Sequence, residues 1–93
     1  MAKLPHDLDL FFARTEGAIE VSLSDLFPMP PLPDKISKAR QNMNLAYEGL
    51  KNKRGPLTVK SRGDGKTYDI MKGSSTYEVA KENSWPSILV EPE

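Results

Sequence analysis

Residues 68–85 read YDIMKGSSTYEVAKENSW, a strand that runs into a glycine and directly on into a helix. Tyr68 and Ile70 alternate with Asp69 and Met71, the period-two pattern of a half-buried strand, and Lys72-Gly73 breaks the run. Ser74, Ser75 and Thr76 are helix-start residues. Ser75 and Glu78 stand three apart, which predicts a capping box: the serine oxygen accepts from the amide of Glu78 while the glutamate reaches back to the amide of Ser75. The first amides of a helix have no internal partner and sit at the positive end of its dipole, so a phosphate or carboxylate is favoured there. Gly73 lets such a group come close to the backbone. Two readings stand side by side: a box that only caps a helix, and a phosphate-binding turn made of Lys72, Gly73, Ser74, Ser75 and Thr76.

The flanks fit a hairpin before this stretch and a strand after it. Pro56 precedes LTVK at 57–60, where a proline is tolerated at the start of a strand. Arg62-Gly63-Asp64-Gly65 supplies the tight turn, which sets Leu57 and Val59 against Tyr68 and Ile70 across the hairpin. Arg62-Gly63-Asp64 also spells an integrin-binding tripeptide, but the sequence shows no secretion signal and the turn reading is preferred. Trp85-Pro86 ends the helix, and SILV at 87–90 reads as a short final strand. Trp85 is the only tryptophan, a core anchor in one reading and a base-stacking platform in the other.

Towards the N-terminus, AIEVSLSDL at 18–26 alternates Ile19, Val21 and Leu23 with polar residues and predicts one strand. Residues 27–33, FPMPPLP, hold four of the eight prolines, so neither a helix nor an interior strand passes through them. They predict an extended connector; a polyproline ligand for an SH3-like partner is the sharper alternative. Asp34 suits the N-cap of a helix whose apolar positions are Ile36, Ala39, Met43, Ala46 and Leu50, with Lys35, Lys38 and Arg40 on its outer side and Gly49 near its end. Residues 51–55 make a basic exit loop. In residues 1–17 the cluster Leu8, Leu10, Phe11 and Phe12 predicts a short helix or an arm laid over the core.

A chain of 93 residues supports one modest core. It has no cysteine, which excludes disulfides, thiolate metal sites and thiol nucleophiles, and its single histidine, His6, cannot build a histidine metal site. No apolar run approaches the roughly 20 residues of a membrane span, so the expected setting is cytoplasmic and no membrane partner is expected. The formal net charge is zero, yet residues 35–72 carry ten Lys or Arg against three acids, a balance of plus seven, and the remainder carries minus seven. Such asymmetry marks a basic face for an anionic partner, or a solvated helix plus a charged turn.

The run RGPLTVKSRGDGKTYDIMKGSSTYEVAKENSWPSILV at 54–90 resembles the ParB/sulfiredoxin-like domain, in which a strand, a hairpin, a glycine-to-helix turn and a closing strand follow one another. The segment from Ala18 fits the same plan more loosely. The resemblance implies an α+β fold with a mixed sheet of about four strands and two main helices, over residues 18–93, preceded by the 1–17 arm. In ParB-like proteins the turn helps bind nucleotide phosphates through its glycine, helix amides and a pair of arginines. Here Gly73 matches the glycine, Tyr77 the aromatic and Ala80 a helix alanine, while Ser75 and Thr76 fall where the arginines would be and Ser74 at the intervening position. Hydroxyls do not replace the charge or the bidentate geometry of guanidinium groups. Sulfiredoxin uses a cysteine in this turn, and this chain has none. A shortened phage or plasmid version of the domain is the natural setting for such a chain.

Three function classes follow. The first is a phosphate-binding module, for a nucleotide such as a nucleoside triphosphate or for a nucleic-acid backbone, with Lys53, Arg54, Lys60 and Arg62 as basic contacts around the turn. The second is an interaction protein that keeps the fold without the ligand and binds a host defence or DNA-processing protein. The third is a metal-dependent nuclease or phosphotransferase, for which Asp69 is the one candidate catalytic carboxylate, Glu78 being assigned to capping. No metal site and no fixed cofactor is specified, and oligomeric state is left open.

Overall fold

The computed structural model describes residues 4–93. Among them the chain forms three α-helices and a five-stranded mixed sheet. In order these are α1 (Leu8–Phe11), β1 (Ile19–Ser22), a 3-10 turn at Leu23–Asp25, β2 (Leu26–Phe27), α2 (Pro33–Tyr47), β3 (Leu57–Ser61), β4 (Tyr68–Lys72), α3 (Ser74–Glu82) and β5 (Ser87–Pro92). The sheet runs β1-β5-β3-β4-β2. β3 and β4 form the expected antiparallel hairpin, β5 lies parallel to β3 and antiparallel to β1, and β2 lies parallel to β4. Of the expected 1–17 arm, residues 1–3 lie outside the described residues.

The core follows from alternation on the hairpin and from a continuous apolar run on the strand between β1 and β3. Leu57, Val59 and Ile70 are buried on one face, and Ile88, Leu89 and Val90 of β5 are buried in succession, as a strand enclosed in mid-sheet requires. Each such side chain stabilises the fold by roughly 1.5–3 kcal/mol. α2 buries Ala39, Met43 and Ala46, and α3 buries Thr76, Tyr77, Val79 and Ala80. A bidentate pair of Arg40 with Glu82 (2.6 and 3.0 Å) ties the two helices at their exposed edge, and the guanidinium bond holds the Glu82 carboxyl below its ordinary pKa. Phe11 and Phe12 are buried with Trp85, whose ring centroid lies 5.2 Å from that of Phe11.

Four local expectations are corrected. The 18–26 segment is two strands and not one: after Ser22 the chain makes the 3-10 turn, buries Leu23 and restarts as β2 on the opposite sheet edge. Asp34 does not cap α2. Pro33 takes the first helical position, where its missing N–H costs nothing, Leu32 is the N-cap, and Asp34 falls in the first turn. Leu50 lies beyond the end of α2 and is exposed, because Gly49 turns the chain away at φ +76°. The capping box does not form: α3 begins at Ser74 with Gly73 as its N-cap, so Ser75 already lies inside the helix.

Candidate functional site

The strand-to-helix turn owes its shape to two devices. The β3–β4 register pairs Thr58 with Lys72 but Val59 with Ile70, leaving Met71 as the extra residue of a bulge that bends the end of β4. Gly73 then reverses the chain at φ +101°, and a Cβ there would stand 2.8 Å from Cγ of buried Leu57. Only glycine fits without movement of the core. The turn therefore delivers Ser74 and Ser75 to the surface with the first amides of α3 free of intrahelical partners.

These residues open into a cleft of about 440 Å³. Its polar side is Lys72, Gly73, Ser74 and Ser75, completed by Lys35 from the first turn of α2. Its apolar side is Met29, Pro30, Pro31 and Leu32 of the connector, with Met71 of the bulge. The amide of Met29 donates to Ser74 Oγ at 3.1 Å, which fixes the connector beside the helix start. Among the described residues neither Lys35 nor Lys72 enters an ion pair. Two ammonium groups and a helix N-terminus on one wall, opposed by apolar side chains on the other, suit a ligand with an anionic end and a flat or apolar body.

The structure thus brings Lys72, Gly73, Ser74 and Ser75 together, while the Thr76 side chain is buried beneath them. The remaining named residues do not line this cleft. Lys60 and Asp69 are cross-strand partners on the exposed sheet face. Arg62 stacks 4.2 Å above the Phe27 ring and reaches Asp69 Oδ1 at 3.8 Å, so the hairpin cation is engaged on the sheet. Lys53 is exposed. Arg54 is half-buried, its amide donating to Phe11 O and its carbonyl accepting from Ala13, and burial pushes its guanidinium pKa down. Asp64 is occupied in its own turn, accepting from the amides of Lys66 and Thr67 and from the Thr67 hydroxyl. Among the described residues no group of three His, Asp or Glu side chains converges as metal ligands. Sequence reasoning missed Lys35 and the apolar wall, since nothing local marks a lysine on a helix face or a proline connector as neighbours of a turn some 40 residues away.

No family model matches the chain, and neither does any curated protein. Solved structures do. C-terminally truncated SbnI from Staphylococcus aureus superposes with a TM-score of 0.67 at 18% identity, over 84% of this chain and 31% of that one. Sulfiredoxin from Arabidopsis thaliana gives 0.57 at 20% identity, over 82% and 83%. C-terminally truncated chromosome-partitioning protein ParB from Caulobacter crescentus, in complex with CTP-γ-S, gives 0.52 at 16% identity, over 83% and 44%. The chain has the ParB/sulfiredoxin-like fold. It spans about a third of SbnI and less than half of ParB, but most of the sulfiredoxin. No helix among the described residues is long and apolar enough to cross a membrane.

Proposed function

We propose that the chain is a phosphate-binding module of ParB-like fold that holds a nucleotide at the turn from β4 into α3. One observation carries the reading: the free start of α3 and the ammonium groups of Lys35 and Lys72 converge on one cleft with an apolar opposite wall. The first two classes of group complement phosphate, and the third suits a base or sugar better than a bare nucleic-acid backbone does. That a ParB of the same fold is solved with CTP-γ-S supports the choice of a nucleotide. Catalysis is less well supported, since Asp69 lies off the cleft beside Arg62. A domain of this kind, on a phage or plasmid, would act by binding a ligand and presenting a surface.

The test is a titration of the chain with CTP, ATP and a short oligonucleotide, read by amide chemical shifts at low and at raised salt. Saturable shifts confined to residues 72–76 and the start of α2, produced by a mononucleotide and surviving salt, are expected. Lys35→Glu and Lys72→Glu should each weaken binding about tenfold, the order of one lost charge-assisted contact, with the fold unchanged. Shifts spread over all the basic residues that vanish with salt would reduce the effect to nonspecific charge attraction. Silence at the turn with every ligand would remove the site. Gly73 is unsuitable for this test, because any side chain there meets Leu57.

A further inference from the structure

The connector between β2 and α2 is built as a ligand in its own right. Residues 28–33 read PMPPLP, with Asp34 and Lys35 following. Their burial repeats every three residues: Pro28 and Pro31 are half-buried against the domain, while Met29 with Leu32 and Pro30 with Pro33 are exposed. A polyproline II helix has three residues per turn, so this is the pattern of one edge resting on the fold and two edges facing out. Leu32, at φ −70° and ψ 147°, has that conformation. Met29 and Leu32 are 62% and 64% exposed, a large exposure for two apolar side chains so close together.

We infer that this strip docks on a polyproline-reading domain of the SH3 kind, with an aromatic-lined groove and an acidic rim. Such grooves take two apolar-proline pairs from the two outward edges of a polyproline II helix. Met29-Pro30 and Leu32-Pro33 are such pairs, separated by the single residue Pro31. Lys35 follows two positions after the second pair and is exposed, where its ammonium group complements the acidic rim. The fold has already restricted the strip: Pro33 begins α2 and the amide of Met29 is held by Ser74 Oγ, so little conformational entropy is left to lose on docking. Met29, Pro30, Leu32 and Lys35 also line the cleft, so an SH3 domain and a nucleotide would compete for this face, and the docking itself requires no nucleotide.

The test titrates the isotope-labelled full chain with a purified SH3 domain that selects ligands of this pattern. Saturable shifts confined to residues 29–35 are expected. Leu32→Ala and Pro30→Ala should each weaken binding about tenfold, as loss of a central apolar anchor does, and Lys35→Glu should weaken it and flatten its salt dependence. The amide spectrum beyond the connector reports whether each variant keeps the fold. A second arm uses an SH3 domain whose groove tryptophan is replaced by alanine. Loss of binding there supports groove recognition, and retained binding would overturn it as mere apolar adhesion. Absence of saturable shifts with the intact SH3 domain would overturn the inference outright, whatever the nucleotide titration shows.

Discussion

The two ends of α3 are finished in opposite ways. At the C-terminal end almost every polar group is used. Trp85 N donates to Ala80 O, Asn83 Nδ2 donates to Val79 O, Asn83 Oδ1 accepts from Leu4 N, and the buried Trp85 indole donates to Leu4 O. At the N-terminal end Gly73 offers no capping side chain, and the serines face a cleft bounded by two lysines outside any ion pair among the described residues. One end is closed by the chain itself and carries stability. The other spends only Ser74 Oγ, on the Met29 amide, and keeps the first amides of α3 without intrahelical partners, at no packing cost because they lie on the surface.

The largest expected effect breaks the closed end. Trp85 is 3% exposed and packs on Phe11, so Trp85→Ala should destabilise by about 3–5 kcal/mol, measured by urea denaturation. A loss below about 1 kcal/mol would mean that the arm carrying Leu4, Phe11 and Phe12 does not depend on the indole. Next comes Gly73→Ala at the open end. A positive φ and a Cβ 2.8 Å from Leu57 Cγ should cost about 1–3 kcal/mol in the same measurement. If it were neutral, the glycine would be there for ligand approach alone.

The sequence made the hairpin and the turn legible because their signals are local. Alternation fixed β3 and β4, Asp64-Gly65 fixed their turn, and Gly73 fixed the switch to a helix. Where it misled, a longer-range partner had won. Leu26 and Phe27 form β2 only because β4 is there to pair with them, and the strand expected through 18–26 breaks accordingly. Ser75 has the sequence context of a cap, yet the tight packing of Gly73 on Leu57 starts the helix earlier. Half of the candidate site was therefore readable. Lys35 and the connector were not, since their position beside Ser74 is a property of the topology.

A smaller change sharpens the comparison at the closed end without emptying the core. Asn83→Ala removes the acceptor for Leu4 N and the donor to Val79 O. It should cost about 1–2 kcal/mol, and amide exchange at Leu4 should speed up while exchange along β3 and β4 changes little. Uniform acceleration across the sheet would show that the arm and the sheet open as one unit.

The smallest effect concerns an anion that the chain supplies to its own free amides. Asp64 has its pKa lowered from 3.8 to about 2, chiefly by the Thr67 hydroxyl at 2.5 Å and then by the amides of Thr67 and Lys66. Because the folded value lies below the unfolded one, its contribution to the turn is fully present above pH 3.8 and is lost as pH falls through about 2. The carboxylate is fully exposed, so global stability should hardly register it. The amide shifts of Lys66 and Thr67 should instead titrate with a midpoint near pH 2, and Thr67→Val should raise that midpoint towards 3.8. Whatever depression survives in Thr67→Val measures what exposed amides alone do for an anion in this fold. A midpoint that returns fully to 3.8 would mean that the Lys66 and Thr67 amides add nothing to the hold on this carboxylate.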